Sequence, residues 1–453
     1  MAAARIELRV MENDKISDSE PIIFSHCMTK DDITMAGQKQ PAQDGPARLS
    51  DQRLPTTFAA LRHRNFRLFW SGQLVSLIGT WMQNVAQGWL VLTLTNSAFM
   101  LGVVSAIGSL PVLFLALPGG VAADRFPKRN LLLITQSLAM LLALILALLT
   151  RLQIVKIWQV VAIAALAGSA FAFDAPSRQA LVIELVGRQD LLNAIALNSA
   201  IFNAARIIGP ALAGMLISII GMAGCFFLNS LSFLAVIVGL WLIRLPGHEA
   251  KTSGPVLRDM KEGLVLAWND VRVRSLIAII AIFSICGMPY AMLMPVFARD
   301  VLNVGARGLG FLMTANGVGA LTGALGLASL KWKRGRARLV LISGIAFALA
   351  LASFSLSRTF WLSLAILPLV GWSMVSQTAT INTILQSVVP DNMRGRVMSL
   401  YTLVFMGMMP FGSFLGGALA QRWGAPGAVR IGAAVCLVST LAIFWRRREL
   451  MDV

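Results

Sequence analysis

The chain has 453 residues, of which 57% are hydrophobic and 13% charged, with a mean hydropathy of +0.73. A soluble globule carries about 25% charged residues, so the composition excludes that class and points to an integral membrane protein. The formal net charge of +18 sits in short clusters between apolar runs, not in one stripe interleaved with aromatics, which argues against a nucleic-acid partner.

In chain order, residues 1–65 are polar and rich in Asp, Gln and Pro, and a disordered cytoplasmic tail is expected there. No apolar core follows a basic start, so no cleaved secretory signal is expected, and Met35 is an alternative start. Beyond the tail, apolar windows of about 20 residues, the length that crosses a bilayer core, recur about twelve times. In the first half they run approximately from Phe69 to Leu92, Leu101 to Val121, Leu131 to Leu149, Ile157 to Phe173, Ala194 to Ile219 and Cys225 to Ile243. Residues 244–274 form a linker, with a basic amphipathic helix from Val256 to Trp268 expected on the inner leaflet. In the second half the windows run approximately from Leu276 to Val296, Leu309 to Leu330, Leu339 to Leu356, Phe360 to Ser376, Val397 to Ala420 and Ala428 to Trp445, before a tail at 446–453. The expected fold is an all-α membrane protein with twelve transmembrane helices in two six-helix bundles, over residues 66–243 and 275–445.

In the first window Gln73, Ser76, Thr80, Asn84 and Gln87 recur at steps of three or four, one helical face. Polar groups at membrane depth are costly unless they meet partners or water. That face either lines a substrate cavity or hydrogen-bonds neighbouring helices without touching a ligand. The turn after the second window, Gly120 to Arg129, places Gly120, Asp124, Arg125, Lys128 and Arg129 between two spans, where they can latch moving helices; a solvated turn is the plainer alternative. Asp174, at the end of the fourth window, stands one helical turn before Arg178, and a structural pair with Arg178 or Arg188 is expected.

The fifth window puts Asn203, Arg206, Pro210, Gly214 and Ser218 on one face. A guanidinium inside a span costs at least about 2.5 kcal/mol, so Arg206 needs a partner: an anionic group of the substrate, a gating carboxylate, or a helix contact. Gly209, Pro210 and Gly214 imply a bend and close helix packing, since Pro lacks a donor and Gly a side chain. In the eighth window Gly317, Gly319, Gly323 and Gly326 imply close packing, with Asn316 the neighbour expected in the cavity. Met288, Tyr290, Met292, Met313 and Met374 offer adaptable apolar contacts or simple filling.

Lys and Arg cluster in alternate loops, as at Arg62 to Arg67, Arg125 to Arg129, Lys331 to Arg338 and Arg446 to Arg448, which places both termini and the linker in the cytoplasm. The two halves also repeat: Leu185 to Ala194 leads into a span with Gly209, Pro210 and Gly214, and Ser387 to Arg396 into one with Gly412 and Gly416. Repeated halves around a midplane site are how rocking transporters are built. Cys27, Cys225, Cys286 and Cys436 show no metal or disulfide spacing. The three histidines lie in polar loops and no phosphate-cradling motif appears, so no enzyme, cofactor or ATP-driven pump is expected.

The Gly120 to Arg129 stretch resembles the loop signature of the major facilitator superfamily, with Pro127 where that signature usually has Gly. Phe66 to Gln73, Gly79 to Gln83, Asp174 to Gln179 and Ala205 to Gly214 are similar to the branch of bacterial exporters that includes the enterobactin exporter and the transmembrane secretion effectors. The resemblance covers nearly all of the chain after residue 60. It implies a monomeric inner-membrane exporter of a small organic molecule, siderophore- or drug-like, with Asp124 in a cytoplasmic gate and coupling to protons. Because the spans hold almost no titratable group, an uncoupled facilitator or a membrane scaffold or sensor remains the alternative.

Overall fold

A computed structural model describes residues 56–244, 268–329 and 335–447. The tail with Met35, most of the expected linker helix, and the Lys331 to Arg334 cluster lie outside these residues. Within them regular structure is helical throughout: a short 3-10 turn Thr56–Arg62, then α1 (Arg64–Thr95), α2 (Ala98–Arg125), α3 (Lys128–Arg151), α4 (Ile157–Val186), α5 (Leu191–Leu242), α6 (Val271–Val301), α7 (Gly305–Ser329), α8 (Arg336–Leu356), α9 (Phe360–Val388), α10 (Asp391–Gly407) and α11 (Met409–Arg446).

Local chemistry sets the boundaries. Ser97 caps α2 by accepting the Met100 N–H at 3.3 Å, and Asp270 caps α6 by accepting the N–H of Arg272 at 2.8 Å. Asn96 closes α1 in the left-handed region, φ 49°. Among the described residues nine elements are long and apolar enough to cross a membrane. Two of them, Leu191–Leu242 and Met393–Arg446, are broken by a glycine: Gly221 at φ 73°, ψ 176° and Gly424 at φ 72°, ψ 161°. Only glycine adopts that conformation readily, so the two breaks sit at matching places in the two halves. The 32-residue α1 is missing from the nine because its polar stripe lowers its hydropathy.

Several helices run past the expected windows: α2 continues beyond Val121 to Arg125, so Gly120 and Asp124 are helical, and α9 continues beyond Ser376 to Val388. The fourth window stops at Phe173, whereas α4 continues to Val186 and sets Asp174 inside the helix, buried. The stretch from Val271 to Val301 is not a uniform α-helix. Its turns widen at Phe283–Gly287 and Phe297–Val301, with bonds from Met288 N–H to Phe283 O (3.0 Å) and from Leu302 N–H to Phe297 O (2.9 Å). A proline ring clashes with the carbonyl four residues back, and Pro289 sits four residues after Ile285, in the first widened turn.

The packed core divides along the helix axes. At mid-depth and toward the Gly221 and Gly424 breaks it is one body, joining residues such as Val85, Leu101 and Phe226 of the first half to Phe297, Leu312 and Phe347 of the second. Toward the opposite end each half has its own cluster, one around Phe66, Leu181 and Leu240, the other around Leu276, Ile384 and Phe444. Hydrophobic contact therefore joins the halves at the break end and splits at the other.

The joined region is built on main-chain contact. A Cβ on Gly310 of α7 would lie 2.6 Å from the carbonyl oxygen of Pro210 and 2.8 Å from the Cα of Gly214, both on α5. A Cβ on Gly102 of α2 would lie 2.6 Å from Ser413 O and 2.9 Å from the Cα of Gly417 on α11. These two inter-half crossings each bring one glycine onto another.

Candidate functional site

Arg206 lies midway between the start of α5 and its Gly221 break, at the level where the core begins to fork. Its Nη2 donates to Asn316 Oδ1 of α7 at 3.0 Å and approaches Met374 Sδ of α9 at 3.8 Å. Its guanidinium carbon lies 6.0 Å from the ring centroid of Trp81 on α1. The chain continues through Asn316 Nδ2, which donates to the Tyr290 hydroxyl of α6 at 3.0 Å; that hydroxyl in turn faces Met374 Sδ at 3.8 Å. Five helices from both halves converge on one guanidinium, and among the described residues no carboxylate pairs with it. The cluster holds a desolvated positive charge, one amide, one hydroxyl and soft apolar walls, a set that suits an anionic group attached to an apolar body.

The polar stripe of α1 divides. Gln73 and Ser76 are buried, Thr80 donates to the carbonyl of Ser76 at 2.9 Å, and Gln87 is half-buried. Asn84 is exposed. Gly88, one turn further on the same face, meets Pro295 of α6, so Asn84 looks toward the second half. The side chain that binds α5 from α1 is Gln83, which accepts from Asn229 at 2.7 Å and is not in the stripe. Asn203 turns back to the carbonyl of Ser199 on its own helix. Gly209 packs where a Cβ would come 2.4 Å from the Cβ of Trp81, so α1 and α5 touch through backbone there.

At the forked end, Lys128 pairs with Glu184 at 2.7 Å, and Arg129 donates to the carbonyls of Leu240 (2.6 Å) and Trp241 (2.9 Å). Those carbonyls belong to the last turn of α5, whose unsatisfied oxygens and dipole favour a cation. Both bonds stay within the first half. Asp124 and Arg125 are exposed, and a Cβ on Gly120 would meet nothing within 4 Å. Asp174 accepts from Thr135 (3.0 Å), Gln136 (2.6 Å) and Arg178, whose Nε lies at 3.0 Å, so it fastens α3 to α4. Of the two arginines expected beside Asp174, Arg178 is the partner.

Nothing in the residue pattern singled out the opposite end. There Arg299 of α6 donates to the Leu92 carbonyl of α1 at 3.0 Å and to Asn96 Oδ1, while Asp300 holds its guanidinium at 2.6 Å. Ser97 donates to Gln421 at 3.0 Å. These bonds tie first half to second at the joined end. The available signal was Asn96 itself, a residue type that readily ends a helix in the left-handed region, standing just past the first window with a side-chain acceptor.

The staphyloferrin A transporter of Staphylococcus aureus is 26% identical over 389 residues, covering 85% of this chain and 96% of that protein. The multidrug efflux pump Tap of Mycolicibacterium fortuitum is 27% identical over 380 residues, covering 82% of this chain and 92% of that protein. In three dimensions the chain superimposes on a POT family transporter solved with 5-aminolevulinic acid, with a TM-score of 0.69 at 13% identity over 86% of this chain and 97% of that one. The model of the transmembrane secretion effector family matches residues 55–452. The chain therefore belongs to that family, a branch of the major facilitator transporters and not of enzymes.

Proposed function

We propose that the chain is a secondary exporter that carries a small organic anion with an apolar body across the bacterial inner membrane by alternating access. The observation that carries this reading is the forked core with Arg206 at its branch point, a charge between two halves with no acidic partner among the described residues. Twelve spans follow if α1 is added to the nine apolar elements and the glycine breaks at Gly221 and Gly424 each divide one element in two. The halves are then six-helix bundles, over 66–243 and 275–445. By the basic-loop rule the forked end faces the cytoplasm, so this conformation is open inward and sealed outward by Arg299, Asn96, Ser97 and Gln421.

In this reading Arg206 and Asn316 bind the anionic group, with Asn84, Thr80, Gln87 and Asn203 along its path and Gln73 and Ser76 supporting α1 behind them. Gly209, Pro210 and Gly214 let α5 approach α1 and α7. The Gly120 to Arg129 stretch, the end of α2 and the start of α3, is with Asp174 and Arg178 the cytoplasmic gate of the first half. The protein works as a monomer, and export is driven by proton entry.

Everted vesicles test the scheme with two fluorescent probes, carboxyfluorescein as organic anion and ethidium as organic cation. Saturable, protein-dependent uptake of carboxyfluorescein that collapses when the proton gradient is dissipated is expected. Uptake that survives that treatment means an uncoupled facilitator, and no flux of either probe or of staphyloferrin A defeats the exporter reading.

A further inference from the structure

A cleft of about 250 Å³ lies wholly within the second half, between α6 and α11. Pro289, Tyr290 and Leu293 form one wall and Leu415, Leu419 and Val435 the other. Its floor is backbone: α6 widens in the turn before Pro289, and Gly416 and Gly432 of α11 pack directly on Pro289 and Cys286, so the cleft lies beside these two contacts. Leu415, Ile431 and Val435 at its mouth are exposed, and in a spanning helix at this depth that exposure is to hydrocarbon. An apolar void gives water too few partners, and an unfilled one loses contact on every wall. The cleft is smaller than the pockets that enclose drug-sized ligands, so it takes one slender apolar arm.

Charge further along α11, on either side of the Gly424 break, identifies what carries that arm. Arg422 follows Leu415 and Leu419 at steps of four and three, on the same face of α11 and one turn nearer the Gly424 break. Arg430 stands just beyond the break, next to Ile431. Both arginines are exposed; Arg422 lies 5.4 Å from the Trp423 ring centroid, Arg430 bonds only the Pro426 carbonyl, and neither pairs with a carboxylate among the described residues. A chain-length of apolar surface ending in two cations matches a phospholipid, with hydrocarbon below and phosphate above.

We propose that this cleft is a binding site for an anionic phospholipid, one acyl chain lying between α6 and α11 and its phosphate on Arg422 and Arg430. The chain then packs against Tyr290, which also holds Asn316, so the lipid supports the Arg206 cluster from behind. Arg206 and Asn316 face the junction of the halves, whereas the cleft opens away from it.

The full chain in nanodiscs is irradiated with phosphatidylglycerol or phosphatidylcholine bearing a diazirine in one acyl chain, and adducts are mapped by mass spectrometry. Adducts from phosphatidylglycerol should concentrate on peptides spanning 285–293 and 415–435, at least five-fold above those on the lipid-facing surface around Leu349 and Trp361. Val435→Trp, which fills the mouth, should remove that excess and leave the other adducts unchanged. The pair R422Q and R430Q should bring phosphatidylglycerol labelling down to the phosphatidylcholine level. Adducts spread evenly over the lipid-facing surface, or labelling insensitive to Val435→Trp, would overturn the site; equal labelling by both lipids would overturn its charge selectivity. Loss of the excess on adding carboxyfluorescein would assign the cleft to the transported molecule instead. The readout is bound lipid, not flux, so its failure is distinguishable from failure of the exporter reading.

Discussion

Replacing Arg206 by Met separates a binding charge from a structural one. The native side chain gains one charged hydrogen bond to Asn316, worth about 1.5–3 kcal/mol. Its approach to Trp81 at 6.0 Å adds roughly 0.5–2 kcal/mol. Against these stands an insertion cost of at least about 2.5 kcal/mol for a guanidinium in a span. The terms nearly cancel, so Arg206→Met, which keeps much of the apolar stem, should change unfolding stability by no more than about 2 kcal/mol, chiefly from the exposed need of Asn316 Oδ1. Binding of an anion should change far more. A unit charge about 4 Å from the guanidinium gains roughly 4 kcal/mol at an effective dielectric near 20, close to three decades in affinity. Thermal unfolding in detergent and concentration-dependent carboxyfluorescein uptake in everted vesicles measure the two sides. Small loss of stability with a hundred-fold or greater loss of apparent affinity is expected, and Arg206→Lys should fall between. Destabilisation well beyond 3 kcal/mol with unchanged uptake per folded molecule would refute the argument and make Arg206 a helix clamp.

Three further outcomes follow from the geometry. Asp174→Ala removes the acceptor shared by Thr135, Gln136 and Arg178 and should destabilise by roughly 3 kcal/mol or more; unchanged melting of the purified protein would contradict it. Gly310→Leu forces a side chain onto the Pro210 carbonyl and should cost on the order of 3 kcal/mol in the same melting assay, whereas Gly120→Ala, with nothing within 4 Å, should melt like the parent. Arg299→Gln loosens the joined end, so spin labels at Thr95→Cys and Leu302→Cys should gain a longer-distance population; identical distance distributions would rule out a sealing role for Arg299.

What the sequence revealed depended on whether the determining interaction was local. Spans were legible because bilayer thickness fixes their length, and the Asp174 and Arg178 pair because its partners stand four residues apart on one helix. Arg206 announced that it needed a partner and Asn316 was expected in the cavity, but periodicity could not pair the two, since 110 positions separate them. The α1 stripe shows the same limit. A helical face says which side chains travel together, yet Gln73 is buried and Asn84 open because neighbouring helices cover only part of that face. Arg299 was passed over because a lone basic residue in a weakly charged loop looks unremarkable until α1 ends beside it.

The glycine-on-glycine crossings at Gly102 with Gly417 and at Gly214 with Gly310 are smooth bearings. Interlocked side chains resist rotation because each must leave one rotamer well and find another. Where two bare backbones meet, a helix can tilt against its neighbour without any such rearrangement.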